Sequence, residues 1–249
     1  MTRKLNSKVA IITGASSGIG EATAIALAAE GATVAIAARR GDRLEALAKR
    51  IADRGGKALP IVTDITDETQ ANNLIHKTNA QLGQVDILVN NAGVALTGNI
   101  DGGNTSDWRR MFEVNVFGVL YTTHAVLPIF KAQGSGHIVN ISSVAGRIAR
   151  AGVGIYNATK WGVNAFSESL RQEVLKDNIR VTIIEPGLVE TEINNHVTDP
   201  VAKKNVEERL KAITPLQSED IAAAITYAVT QPHHVNVNEI LIRPTQQER

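Results

Sequence analysis

The chain has 249 residues, 43% hydrophobic and 20% charged, with a formal net charge of +1; such a chain buries a large core as a soluble globular protein, and an α/β chain of this length forms one domain. It contains no cysteine, which excludes disulfides, thiolate chemistry and cysteine-type zinc sites and suits a reducing compartment. Basic and acidic residues are interspersed, which argues against a nucleic-acid partner.

Met1 to Lys8 is short and polar, without the apolar core of a signal peptide. No apolar run approaches the roughly 18 residues that span a membrane, so a cytoplasmic location is expected. Val9–Thr13, Thr33–Ala37, Ala58–Val62, Ile87–Val89, His137–Ile141 and Val181–Ile184 read as strands, and Glu239–Ile242 as a further edge strand. Most are continuously apolar, as a sheet covered on both faces requires. Helical spacing recurs between them, in Leu44-Leu47-Ile51 and in Leu74-Ile75-Leu82. Two longer helical patterns run from Trp108 to Ala132 and from Tyr156 to Lys176. The fold class is therefore α/β: a single-domain Rossmann-type doubly wound parallel sheet of about seven strands, with helices on both faces, over residues 1–249.

The turn after the first strand reads Thr13-Gly14-Ala15-Ser16-Ser17-Gly18-Ile19-Gly20. Gly14 can take backbone angles closed to other residues, Gly18 lets main chain approach a pyrophosphate, and Gly20 lets a helix lie close on the strand. The positive end of a helix starting near Gly18 then faces the phosphates. The second strand ends in Arg39-Arg40, with no carboxylate before Asp42. Guanidinium groups suit a ribose 2′-phosphate, so NADP(H) is expected over NAD(H).

Tyr156 and Lys160 are spaced i to i+4 on one helical face, thirteen residues after Ser143. An ammonium beside a phenol favours phenolate, so the Tyr156 pKa is expected below its ordinary value of about 10. With TGASSGIG at Thr13–Gly20, NNAG at Asn90–Gly93, Asn115 within VNVFG, ISS ending at Ser143, YNATK ending at Lys160 and PG at Pro186-Gly187, the chain closely resembles the short-chain dehydrogenase/reductase family over essentially its whole length.

The resemblance implies residue roles. Ser143 orients the substrate carbonyl, and Tyr156 is the acid of reduction and the base of oxidation. Lys160 lowers the Tyr156 pKa and holds the nicotinamide ribose, and the main chain of Asn115 anchors a proton-relaying water. Asp64 and Ile65 hold the adenine, Asn90, Ala92 and Gly93 line the adenosine ribose, and Thr191 binds the carboxamide. Ser16, Ser17 and Ile19 of the first turn, and Pro186, Gly187 and Val189 after the sixth strand, are further cofactor contacts. The expected activity is hydride transfer between NADP(H) and a ketone, aldehyde or small hydroxy acid, in a dimer or tetramer. Trp161 is expected in that interface.

A non-catalytic NADP-binding sensor or scaffold does not require Asn115, Ser143, Tyr156 and Lys160 together. Epimerases and dehydratases among the extended relatives usually have longer chains. Residues 188–215 are long and polar, without strong periodicity until Val206, and are expected to form a substrate lid. Arg147 and Arg150 either anchor a substrate carboxylate or meet solvent. Arg43, Glu45, Lys49, Arg50, Asp53 and Arg54 read as a solvated helix face. The six histidines have no metal-ligand context, and hydride chemistry needs no metal.

Overall fold

The computed structural model describes residues 3–248; Met1, Thr2 and Arg249, which belong to the expected 1–249 unit and its polar N-terminus, lie outside the described residues. Seven strands form one sheet: β1 (Val9–Thr13), β2 (Thr33–Ala38), β3 (Lys57–Val62), β4 (Ile87–Asn90), β5 (Gly136–Ile141), β6 (Ile179–Pro186) and β7 (Glu239–Ile242). Their order is β3-β2-β1-β4-β5-β6-β7, and every neighbouring pair is parallel. Pro60 sits in β3, an edge strand, where its missing N–H breaks no interior ladder.

The helices are α1 (Gly18–Ala29), α2 (Gly41–Ala52), α3 (Glu68–Leu82), α4 (Thr105–Phe112), α5 (Gly118–Gln133), α6 (Gly154–Val174), α7 (Pro200–Ala212) and α8 (Ser218–Val229). None is long and apolar enough to cross a membrane. The continuous apolar strands have a direct cause. Ala10 and Ile12 of β1 pack with Leu27 of α1, Leu44 of α2 and Ile225 of α8. Ile11, pointing the other way, packs with Leu74 of α3, Phe130 of α5 and Leu170 of α6. Successive residues serve opposite faces, so neither can be polar.

Two segments depart from the sequence expectation. The long pattern beginning at Trp108 is α4 and α5, joined by a five-residue π-helical segment, Glu113–Phe117, that contains Asn115. The aperiodic stretch before Val206 contains the start of α7. That helix buries none of its residues and so carries no apolar stripe to betray it. Its start is set by Asp199, whose Oδ1 accepts from the Ala202 N–H at 2.8 Å, and by Pro200 in the first turn.

Chain order reverses at β1, which has β2 on one side and β4 on the other. Such a reversal opens a crevice at the carboxyl ends of the strands. The crevice depends on α1 lying close to the β1 turn, where a Cβ on Gly20 would overlap the Gly14 carbonyl oxygen. Gly20→Ala is expected to lower stability by about 1–3 kcal/mol, the usual cost of overpacking. Urea unfolding with an unchanged slope and a lower midpoint is the check.

Candidate active site

The first wall of the crevice is the turn from β1 into α1. Gly14 has φ +65° and Gly18 φ +58°, and a Cβ on Gly14 would come within 2.8 Å of Ala92 Cα. Asn91, the second asparagine of NNAG, fixes this turn. Its Nδ2 donates to the carbonyls of Thr13 and Gly14 at 2.9 and 3.3 Å. The Thr13 hydroxyl in turn accepts from the N–H groups of Asn91 and Ala92 at 3.0 and 3.1 Å. The doubled asparagine of NNAG was the available signal. Asn90 turns away: it donates to Asn140 Oδ1 and Thr123 Oγ1 and accepts from Thr122, in a buried network behind the crevice. It is not among the residues that line the cavity.

Arg40 ties this turn to the end of β2. Its Nη2 donates to the hydroxyls of Ser16 and Ser17 at 2.9 and 2.8 Å, and its Nη1 to Glu192 at 2.9 Å. Arg43, expected only on a solvated face, also reaches Glu192, at 2.7 Å. Hydrogen bonds from Arg43 and Arg40 hold the Glu192 carboxyl down to about 2. Arg39 lines the crevice and is exposed. Two guanidiniums thus converge on one carboxylate at this corner.

Deeper in, Ser143 follows β5, and Tyr156 and Lys160 sit one turn apart near the start of α6. The Ser143 hydroxyl bonds the Tyr156 phenol, accepts from the Ala145 N–H at 3.1 Å and donates to the Pro186 carbonyl at 3.4 Å. Lys160 Nζ donates to the Ile141 carbonyl at 2.8 Å and lies 5.7 Å from the centroid of the Tyr156 ring. Asn115 is 1% exposed. It holds the Val94 segment through Val94 N–H to Oδ1 at 2.8 Å and Nδ2 to the Val94 carbonyl at 2.9 Å, and also donates to Thr159. A Cβ on Gly93 would sit 3.4 Å from Asn115 Oδ1 and 3.8 Å from Lys160 Nζ, ordinary contact distances that place the Gly93–Val94 strip beside both groups.

The expected fall of the Tyr156 pKa does not appear. Burial pushes the phenol up to about 12 against a lowering bond from Ser143, and burial alone pulls Lys160 down to about 8. The i to i+4 spacing places the ammonium near the ring, with a bond to the Ile141 carbonyl, so desolvation outweighs its charge at the phenol oxygen.

These features share one cavity of about 650 Å³. Of the residues expected to contact cofactor or substrate, Gly14, Ser16, Ser17, Gly18, Ile19, Arg39, Arg40, Asp64, Ile65, Ala92, Gly93, Ser143, Tyr156, Lys160, Pro186, Gly187, Val189 and Thr191 line it. Gly20, Asn90 and Asn115 stand behind its wall. The two loop arginines separate. Arg150 lines the cavity, whereas Arg147 turns to β6 and β7, pairing with Glu239 and, at 2.7 Å, with the fully buried Glu185. Arg147 is thus not a substrate anchor: a carboxylate sealed under the loop claims it. Asn164 adds a second bond to Glu185 at 2.7 Å.

Residues 8–202 match the family model described as short chain dehydrogenase. The chain belongs to that family. It is 42% identical over 247 residues to an uncharacterized oxidoreductase of Staphylococcus saprophyticus, covering 98% of each chain. It is also 43% identical over 240 residues to the glycine betaine reductase ATRR of Emericella nidulans, covering 96% of this chain and 19% of that protein. The closed form of a serine dehydrogenase complexed with NADP+ superposes with a TM-score of 0.90 at 33% identity, covering 97% of this chain and 96% of the other. A short-chain dehydrogenase is an oxidoreductase, so this chain is an enzyme of that kind.

Because Arg147 neutralises a buried acid, Arg147→Ala is expected to cost about 2 kcal/mol or more of stability, discounted from the buried-pair value because the guanidinium is half exposed. Arg147→Ala combined with Glu185→Gln should recover most of that loss in chemical denaturation. An unchanged melting curve for the single variant would contradict the assignment.

Proposed function

We propose that this dehydrogenase transfers a hydride between NADP(H) and a carbonyl or alcohol, with Tyr156 carrying the proton. The observation that supports this most is the Tyr156 hydroxyl bonded to Ser143, with Lys160 one turn along, in the cavity that begins at the Gly14–Gly18 turn.

The residues present fit the dinucleotide. Only glycine leaves room at Gly14 beside Ala92, and the N-terminus of α1 has no side-chain cap, leaving its N–H groups for a pyrophosphate. The end of β2 offers Arg39 and Arg40, backed by Ser16 and Ser17, and no acid for a free 2′-hydroxyl. The NADP+ bound by the serine dehydrogenase neighbour is consistent with that choice. Thr191 and Val189 border the opposite side. When bound, the nicotinamide supplies or accepts the hydride.

The chain's own groups then handle the proton. In reduction Ser143 donates to the carbonyl oxygen and orients it, and Tyr156 gives that oxygen its proton as charge develops. In oxidation Tyr156 takes the proton back. With its pKa at about 12 the phenol is protonated throughout the neutral range, the state that reduction needs. Lys160, lowered to about 8, is cationic below that pH and steadies the developing phenolate. Reduction should therefore hold through neutrality and decline above about pH 8 as Lys160 loses its proton. Residues 188–215 act as a lid: α7 buries nothing of its own and lays one face along the cavity. The exposed Phe112, Phe117 and Trp161 support pairing of α4, the π-helical segment and α6 with a second copy.

Assembly of Ser143, Tyr156, Lys160 and Asn115 around one strip favours turnover over a sensor or scaffold role. Tyr156→Phe is expected to lower turnover at least ~100-fold, while thermal stabilisation by NADP changes little; near-normal turnover would overturn the mechanism. Arg40→Leu should reduce the NADP-over-NAD preference in kcat/KM by ~10-fold or more, the scale of one charged contact. A parent enzyme that uses both cofactors equally would contradict the reading of the β2 end.

A further inference from the structure

Glu192 begins the short helical turn Glu192–His196 that follows Thr191, yet its carboxylate is held at the end of β2. One oxygen accepts from Arg40 Nη1 at 2.9 Å, and the two oxygens accept from Arg43 Nη1 at 2.7 and 2.9 Å. The carboxyl, held down to about 2, is ionised throughout the neutral range. The turn buries none of its residues, so these ion pairs rather than packing hold it there. Thr191, just before it, sits at the phosphate turn, where a Cβ on Gly18 would come within 3.3 Å of its Cγ2. The first part of the lid is therefore fastened to the corner where the cofactor is expected.

Arg40 does not depend on Glu192 for its position. Its Nε and Nη2 donate to Ser16 Oγ at 3.1 and 2.9 Å, and Nη2 donates to Ser17 Oγ at 2.8 Å. The guanidinium stays in place when the carboxylate leaves. The ion pairs are also weak enough to exchange. The side chains of Arg40, Arg43 and Glu192 are 38%, 43% and 39% exposed, and pairs so open to water contribute little. A phosphate monoester carries nearly twice the charge of a carboxylate and has three acceptor oxygens, so it competes well for the same donors. Held beside the carboxylate it would also be repelled by it. A ribose hydroxyl is uncharged and does not contest the pair.

We propose that Glu192 is a specificity-determining residue: its carboxylate occupies the arginine site that a 2′-phosphate takes over, so NADP(H) frees the turn Glu192–His196 and NAD(H) does not. The proposal rests on the reading of the β2 end given above and adds the lid's part in it. Glu192 holds the NADP preference below what Arg39 and Arg40 alone would give, because an internal anion has to be displaced first. It also ties the choice of cofactor to the lid. The freed turn lies between two fixed points, Val189 and Glu190 bridged to Leu216 on one side and the buried Val197 on the other. What is released is that turn rather than the whole lid.

The test uses the full chain with adenosine 2′,5′-bisphosphate and 5′-AMP, the adenosine halves of the two cofactors, so that the nicotinamide end plays no part. Calorimetry on the parent should show tighter binding of the bisphosphate. Glu192→Gln should widen the bisphosphate-to-AMP affinity ratio by roughly 10-fold, the scale of one charged contact, with AMP little changed. Glu192→Asp keeps the charge and should stay near the parent. Hydrogen exchange at the amides of 192–196 should speed up when the bisphosphate saturates the parent and not when AMP does. A ratio unchanged or lowered in Glu192→Gln, a glutamine-like ratio in Glu192→Asp, or exchange unmoved by the bisphosphate would each overturn the proposal. With any of these, a parent that still prefers the bisphosphate leaves the reading of the β2 end standing. Equal affinities for the two ligands in both the parent and Glu192→Gln would overturn both.

Discussion

The site exists because two strand ends are held together at the point where the sheet reverses its order. Thr13 at the end of β1 and Asn91 just past β4 exchange two side-chain to main-chain bonds, the Thr13 hydroxyl accepts a third from the Ala92 N–H, and Asn91 adds one to Gly14. These bonds satisfy polar backbone that leaves the sheet with no further strand to pair it. They also fix Gly14 in its positive-φ turn against Ala92. Everything above the sheet is referred to that junction: the α1 N-terminus, the Arg40 cluster, and the Val94 strip that Asn115 holds beside Lys160.

Burial then sets the electrostatics. Lys160 is 5% exposed, and the phenol of Tyr156 is enclosed enough to hold its proton more tightly than free tyrosine. In such an environment the charged form of each group is disfavoured, phenolate for one and ammonium for the other. The tyrosine is thereby kept protonated and the lysine is brought toward neutrality. Ser143 opposes the trend at the phenol through its hydrogen bond.

The sheet was legible because burial on both faces leaves each strand a solid apolar word; β1 and β7 match their expected bounds, β2 to β5 extend them by one residue each and β6 by two at each end. Most of the positions expected around the Gly14 turn and Tyr156 line one cavity, and they stood out in the sequence because their residue types are restricted. Other features lay beyond sequence reading. α7 has no buried face, so no periodicity marks it. Arg147 could not be separated from Arg150 without knowing that Glu185 lies sealed beneath the loop. The direction of the Tyr156 shift depends on desolvation, which spacing does not report. Arg43 and Glu192 are 149 residues apart and meet only in the fold.

The claim on which the account turns is that this one cavity holds both the dinucleotide and the reacting carbonyl. A crystal structure of the chain grown with NADP+ tests it most directly. The account predicts the pyrophosphate on the Gly14–Gly18 turn, the 2′-phosphate against Arg39 and Arg40, and the nicotinamide between Thr191 and Tyr156. A dinucleotide bound elsewhere, or one whose nicotinamide points away from Tyr156 and Ser143, would contradict it.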